Sequence, residues 1–377
     1  MDHAKKIFRV PADLCSLAEK VRWKGFMLES GMRLGRYHLA YHTYGRLNAA
    51  KNNVVWIFHA LTANSAPHEW WDGLVGTGKI FDPDYHYIVC VNVPGSCYGS
   101  LSPLDIDVTT GFPYYHQFPH FTTRDIIRSF QPLRRYLGIE KINIAIGGSL
   151  GGQQLLEWAC EEPELFENII PIATNAFHSP WGIAFNTAQR MAIEADGTWH
   201  ERHAKAGEAG MKAARAMALI SYRSYEGYKA RQPYNHNQLL TEPKGEATGG
   251  ASSYQRYQGE KLAMRFNAFS YYQLSKTMDS HNLGRGRDGV ENALARIQAK
   301  ALVVGIDSDV LFPPEEQRFV AAHIRQADFA LMHSLYGHDG FLLEYKQLQQ
   351  HIFNFLTESQ TISINNIKSV NSNEHIA

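Results

Sequence analysis

The stretch from Lys141 to Pro163, KINIAIGGSLGGQQLLEWACEEP, constrains the fold more than any other part of the chain. Ile142, Ile144 and Ile146 are β-branched and alternate with smaller residues, which suits a short central strand. Gly147-Gly148-Ser149-Leu150-Gly151 then matches G-x-S-x-G, and a helix follows. In that strand–turn–helix setting the motif is a nucleophile elbow, in which a sharp turn lifts one serine above the sheet. So tight a turn leaves no room for side chains two residues to either side of the serine. The serine also stands at a helix N-terminus, whose unpaired N–H groups and partial positive charge favour a developing oxyanion. A plain glycine-rich turn is the competing reading. A phosphate loop fits poorly, because no G-K-[ST] follows and G-x-G-x-x-G spacing is absent at this turn.

The remaining elements arrange themselves around this unit. Asn53–Phe58 and Tyr87–Val93 are near-continuous apolar runs, as expected of parallel strands buried on both faces. Asn168–Ala173, Lys300–Ile306 and Phe329–Leu335 supply further strands. Thr122 or Thr123 caps a helix carrying Ile126, Ile127, Phe130, Leu133 and Leu137 at helical spacing, with Pro132 inside it and Gly138 at its end. Alternating strands and helices predict a doubly wound, mostly parallel α/β sheet. Upstream, the alternation of Tyr37, Leu39, Tyr41 and Thr43 with a turn at Gly31 predicts an antiparallel hairpin starting at Gly25. The expected organisation is an arm over 1–24, a core over 25–179 and 293–357, a helical lid inserted at 180–292, and a tail over 358–377. A polar break is expected inside the lid from Thr241 to Ser253. Gly284-x-Gly286-x-x-Gly289 formally matches a dinucleotide fingerprint but follows no strand and encloses two arginines, so it is not read as one.

Composition removes several function classes. Lysine plus arginine and aspartate plus glutamate each number 37, leaving no basic footprint for nucleic acid or an anionic membrane. No segment is apolar enough for a signal peptide or a membrane span. Cys15, Cys90, Cys97 and Cys160 show no C-x-x-C spacing, which suits reduced thiols in a cytoplasmic protein. No metal site is expected. His116 and His120 are flanked by Pro113 and Pro119, and His200 and His203 lack a third ligand. The expected partner is a small molecule.

An elbow serine needs a base and an orienting carboxylate, which in this architecture follow in the order Ser, Asp, His. Gly305-Ile306-Asp307-Ser308-Asp309-Val310-Leu311-Phe312-Pro313 leaves one strand with two candidate carboxylates, and Gly337-His338-Asp339-Gly340 leaves the last. Ser149 would attack, His338 would move the proton, and one aspartate would fix the imidazole tautomer. Either aspartate could instead cap the helix near Pro313. His59-Ala60-Leu61-Thr62, after the first parallel strand, is placed to offer a second oxyanion N–H, while His59 itself reads as structural. The reaction class is acyl transfer through a serine acyl-enzyme.

HALTANS at 59–65, EWWDGLVGTGK at 69–79, NVPGSCYGS at 92–100, GGSLGGQQLLEWA at 147–159, SYRS at 221–224, DSDVLFP at 307–313 and GHDGFLLE at 337–344 together resemble the homoserine O-acetyltransferase family. The resemblance runs from about 20 to 357 and implies an α/β-hydrolase fold. It also implies ping-pong transfer from an acyl-CoA co-substrate, acetyl-CoA foremost, to the hydroxyl of L-homoserine in methionine biosynthesis, by a cytoplasmic homodimer joined through the lid, with no bound cofactor. By matching motifs, Ser149 is the nucleophile, Asp309 the acid and His338 the base. The backbone N–H groups of Leu150 and of Leu61 or Thr62 form the oxyanion hole. Arg215 and Tyr222 resemble the family's binders of the substrate carboxylate, and Asp339 its binder of the ammonium. Arginine suits a planar carboxylate. Two departures fall near the expected acyl pocket: Leu150 where methionine is frequent, and Pro94 and Ser96 within NVPGSCYGS. Succinyl transfer, L-serine as acceptor, and an esterase or thioesterase are the alternatives.

Overall fold

The computed structural model describes residues 18–232 and 250–358. Eight strands form one sheet: β1 (Glu19–Met27), β2 (Arg33–Tyr44), β3 (Val54–Phe58), β4 (Tyr87–Val91), β5 (Ile142–Gly148), β6 (Phe166–Ile172), β7 (Lys300–Ile306) and β8 (Ala327–Met332). They lie in the order β1-β2-β4-β3-β5-β6-β7-β8. The pairs β1–β2 and β2–β4 are antiparallel and the rest are parallel.

Both faces of the parallel strands are covered, which explains their continuous apolar runs. In β3, Trp56 and Phe58 face a core that includes Phe130 and Trp158 from the Thr123–Tyr136 and Leu150–Glu161 helices. Trp56 meets Trp158 edge-on, with ring centroids 5.1 Å apart. Val55 and Ile57 face the opposite way, into a core closed by Leu348, Ile352 and Phe355 of the Tyr345–Glu358 helix. The Thr123–Tyr136 helix begins with a capping box, Thr122 and Asp125 each bonding the other's backbone N–H, and it continues through Pro132.

The hairpin starts at Glu19, not at Gly25, with Glu19 opposite Tyr41 and Met27 opposite Arg33. The strand therefore includes the last residues of the expected 1–24 arm. Its alternation was diluted because Lys20, Arg22 and Lys24 occupy the exposed positions between half-buried Val21 and Trp23, as suits an edge strand. Residues 1–17 lie outside the described residues, as does the expected tail beyond Glu358.

Between β6 and β7 the described chain is helical: Pro180–Glu194, Glu208–Tyr222, Tyr225–Arg231, Gly250–Ala263, Ala268–Asp279 and Val290–Ala295. The polar break expected at 241–253 is shorter at its C-terminal side, because the helix starts at Gly250. Residues 233–249 lie outside the described residues. The chain re-enters through the glycine-rich 284–289 segment, whose arginines turn inward. Arg287 bonds Glu157, at 2.5 Å, and Glu161, while Arg285 bonds Glu29 at 2.7 Å. Arg124 joins the same cluster through Glu157 at 2.7 Å and Glu29 at 3.0 Å.

β3 and β5 are neighbours, yet the chain goes outward from β3 to β4 in one direction and from β5 to β6 in the other. A crevice opens at such a switch point, beyond the carboxyl ends of the strands. Ser149 sits there.

Candidate active site

Ser149 follows β5 with φ 57° and ψ −125°, a backbone conformation that costs a residue with a Cβ about 1–3 kcal/mol. Its neighbours hold it there. The Ser149 N–H donates to Ile172 O at 3.0 Å, and Thr174 Oγ1 donates to Ser149 O at 2.9 Å. The flanking glycines are sterically required, since a Cβ on Gly147 would stand 2.6 Å from the Gly151 carbonyl carbon, and one on Gly151 would stand 2.2 Å from Phe58 O. Ser149 precedes the Leu150–Glu161 helix, yet its side chain makes no capping hydrogen bond, so the hydroxyl is not spent on the helix end.

The strand end that passes so close to Gly151 continues into the His59–Thr62 segment. Gln154 Nε2, one turn along the elbow helix, donates to His59 O at 3.2 Å and fixes this segment against the elbow. Ala63 N–H closes a turn onto Ala60 O at 3.0 Å, which leaves Leu61 and Thr62 as its central residues. Their N–H groups take no part in the bond that closes the turn. The Leu150 N–H, in the first turn of its helix, has no intrahelical acceptor. His59 is fully buried, with Nδ1 donating to Ala60 O at 2.8 Å and Nε2 accepting from Val93 N–H at 3.1 Å. Burial lowers its pKa to about 4, so it stays neutral and serves the loop's architecture.

His338 lies on a short turn, Gly337–Asp339, after β8. Its Nδ1 is 2.7 Å from Asp309 Oδ2, and both side chains are almost wholly buried. Asp309 Oδ1 accepts the N–H groups of Leu311 and Phe312 at 2.8 and 2.9 Å, so the carboxylate is fixed at both oxygens. Asp307 points elsewhere, bonding His333 at 2.8 Å and the Ser334 N–H at 3.0 Å at the surface. Burial opposes a charged His338 ring, but the charge and hydrogen bond of Asp309, with Asp339 adding to them, leave its pKa above the ordinary value. Phe312 stacks on the imidazole at 5.0 Å, and Phe341 meets it edge-on at 5.5 Å. That same Phe341 ring lies against Gly148, where a Cβ would stand 2.6 Å from it. One aromatic ring thus spans from the residue before Ser149 to His338.

The lid reaches this site through Tyr222, whose ring is 5.7 Å from His338. Arg215 lies over the other end of the motif, its guanidinium carbon 5.4 Å from the Tyr222 ring centroid. Asp339 is ion-paired with Arg223, the arginine of SYRS. This pairing was not foreseen from sequence, although the arginine next to Tyr222 in a quoted motif was the available signal. The structure therefore gathers Ser149, the Leu61 turn, Asp309, His338, Tyr222, Arg215 and Asp339 at one end of the sheet. Among the described residues, no group of three or more His, Cys, Asp or Glu side chains could hold a metal ion.

The family profile for the α/β-hydrolase fold matches residues 53–345. The homoserine O-acetyltransferase of Cyclobacterium marinum is 50% identical over 332 residues, covering 88% of this chain and 93% of that protein. The chain belongs to the homoserine O-acetyltransferase family. A crystal structure of the homoserine O-acetyltransferase from Bacillus anthracis superposes with a TM-score of 0.83 at 23% identity, covering 90% of this chain and 98% of that one. Esterase E22 superposes almost as well, with a TM-score of 0.81 at 22% identity over 90% of this chain and all 100% of that one. Neither of these two likenesses speaks to more than the fold.

Within this homoserine O-acetyltransferase family member, both sequence departures occupy buried ground. Leu150 is fully buried. Asn92, which opens NVPGSCYGS, accepts the Ser65 N–H and donates to Ser65 Oγ and Tyr98 O, tying this segment to the HALTANS loop. Ser96 is fully buried, and its hydroxyl has no hydrogen-bond partner among the described residues.

Proposed function

We propose that this protein transfers an acyl group, the acetyl group foremost, from acyl-CoA to the side-chain hydroxyl of L-homoserine through an acyl-enzyme on Ser149. The observation that carries the reading is the buried His338–Asp309 pair, joined by one phenylalanine ring to the strained serine turn in a member of this family. In the first half-reaction His338 takes the Ser149 proton as Oγ attacks the thioester carbonyl. The oxyanion is met by the N–H groups of Leu150 and of Leu61 or Thr62, and His338 returns the proton to the departing thiolate. Homoserine then enters, His338 takes its hydroxyl proton, and attack on the ester regenerates Ser149. Asp309 holds the tautomer that leaves Nε2 free to accept.

Arg215, whose guanidinium lies over the Tyr222 ring, is read as the group that binds the amino acid's carboxylate, and its proximity to Tyr222 supports that reading. Asp339 would bind the ammonium while sharing its charge with Arg223. The co-substrate is read as acyl-CoA with no resident cofactor. The working form is read as a cytoplasmic homodimer, joined through the helices between β6 and β7 and serving methionine biosynthesis. No described helix is long and apolar enough to cross a membrane.

The test is thiol release from acetyl-CoA and from succinyl-CoA, each with and without L-homoserine or L-serine, while intact mass is followed. Homoserine-dependent release with a transient adduct on Ser149 supports the reading and names the donor. Release indifferent to both amino acids would mean hydrolysis and would remove it.

A further inference from the structure

Beside the serine, a polar network joins elements that carry different members of the site. Thr174 and Asn175, just after β6, stand at its centre. Thr174 donates to Ser149 O at 2.9 Å, and Gln317 Nε2 donates to Thr174 O at 2.6 Å. Asn175 Oδ1 accepts from Gln153 Nε2 at 3.0 Å, and its Nδ2 donates to Glu316 Oε2 at 2.9 Å. Gln153 lies one helical turn after Ser149. Glu316 and Gln317 lie in the first turn of the Pro314–His323 helix, which follows directly on the loop carrying Asp309. The two residues of the β6 loop are thus clamped between the nucleophile's helix and the acid's helix. Gln153, Asn175 and Gln317 are all buried.

We propose that Asn175 and Glu316 are positioning residues that lock the serine elbow to the Asp309 loop. This rests on the triad reading above. The bond has a direction: the Asn175 amide donates to a carboxylate on one side and accepts an amide on the other, so neither partner can be exchanged freely. Glu316 borders the same cavity as Asp309, and Asp309 is one of the groups that act on it. Burial, opposed by hydrogen bonds from Asn175 and Ser179 and aided by Asp309, pushes the Glu316 carboxyl up to about 7.

The other titratable groups around it are accounted for. His178 and His281, which flank Asn175, are pushed down to about 3, chiefly by burial, and carry no charge at neutral pH. From the lid helices, Asp279 is matched by Arg190 at 2.7 Å. Asp307 and Glu315 border the same cavity of about 620 Å³ as Asp309 and Glu316.

The experiment measures kcat, the homoserine KM and the pH profile of thiol release for wild type, Asn175→Asp, Glu316→Gln and the double variant. Circular dichroism and melting serve as the folding check. Asn175→Asp sets two carboxylates face to face, and kcat at pH 8 is expected to fall about tenfold, recovering toward lower pH as the pair shares a proton. The double variant rebuilds an amide–carboxylate pair in the reverse sense and is expected to recover most of that loss. Glu316→Gln leaves the Asn175 amide donating to an amide oxygen in place of a carboxylate and is expected to lower kcat by about threefold. The homoserine KM should stay put throughout, because the side-chain hydrogen bonds of Asn175 and Glu316 run to each other, to Gln153 and to Ser179 and not to Arg215, Tyr222 or Asp339. A folded Asn175→Asp variant with wild-type kcat and profile would overturn the proposal, as would a folded double variant that recovers nothing. Wild type that never forms a Ser149 adduct would instead remove the triad reading beneath it.

Discussion

Replacing Asp309 with asparagine preserves the shape of the site while changing one donor pattern, so its effect can be worked out from the contacts. Asp309 Oδ1 accepts two buried N–H groups, from Leu311 and Phe312, and Oδ2 faces His338 Nδ1. The new amide can keep its oxygen on the two N–H groups or reverse. Reversal would leave two buried donors without an acceptor, at about 1–3 kcal/mol each. The retained orientation therefore wins, and the amide NH₂ points at Nδ1. That forces the imidazole proton onto Nε2, the nitrogen that must accept the proton of Ser149. By analogy with the serine-protease triad, the expected loss in kcat is about 10³–10⁴-fold, or roughly 4–5.5 kcal/mol of barrier. Stability should fall by only about 1–2 kcal/mol, as charge-assisted hydrogen bonds become neutral ones. Asp307→Asn disturbs only a surface contact and should cost kcat less than about threefold. Steady-state thiol release on both variants, with melting curves, decides the matter. A loss below about tenfold for Asp309→Asn, or a larger one for Asp307→Asn, would refute the reasoning.

Four further outcomes are expected. Because the pKa of His338 lies above its ordinary 6.5, and an imidazolium cannot accept the serine proton, acylation should decline as pH falls through a value above 6.5; a limb below it contradicts the assignment. Arg215→Ala should raise the homoserine KM by roughly 10–100-fold while sparing adduct formation from acyl-CoA, and an unchanged KM would detach Arg215 from substrate binding. In Gly148→Ala the added methyl would meet the Phe341 ring that carries His338, so kcat should drop with about 1–3 kcal/mol of destabilisation, read from initial rates and urea midpoints. Glu157→Gln strips a buried carboxylate from between Arg124 and Arg287, and about 3–5 kcal/mol should be lost in the urea midpoint; a variant as stable as its parent would mean the cluster contributes little.

The features legible in the sequence were those with local causes. β7 runs over Lys300–Ile306 as its apolar run suggested, and the serine turn is visible because glycine is the only solution to its crowding. Asp309 and His338, each named from the loop that follows a strand, are joined by a hydrogen bond. β1 was obscured because an edge strand carries lysine and arginine at alternate positions and so lacks the apolar density that marks β3 or β5. Partnerships between distant side chains were hidden for a different reason. Nothing near Asn175 indicates that it will bond a residue 141 positions later, and nothing in the glycines of 284–289 indicates that Arg287 between them folds back onto the elbow helix.

That inward-turned pair of arginines bears on how the protein can be made. Synthesis runs from the N-terminus, so Glu29, Arg124, Glu157 and Glu161 leave the ribosome long before Arg285 and Arg287, and the bond from Arg285 to Glu29 spans 256 residues. Until the late arginines emerge, Glu157 has, among the described residues, only Arg124 as a counter-ion and Glu161 only Arg128. A wholly buried carboxylate that is only half neutralised resists leaving water. The elbow helix is therefore held less firmly on the sheet while the nascent chain is shorter than this. The helix that follows the serine turn, encoded near the middle of the chain, gains its last ion pairs only when the 284–289 segment has been made.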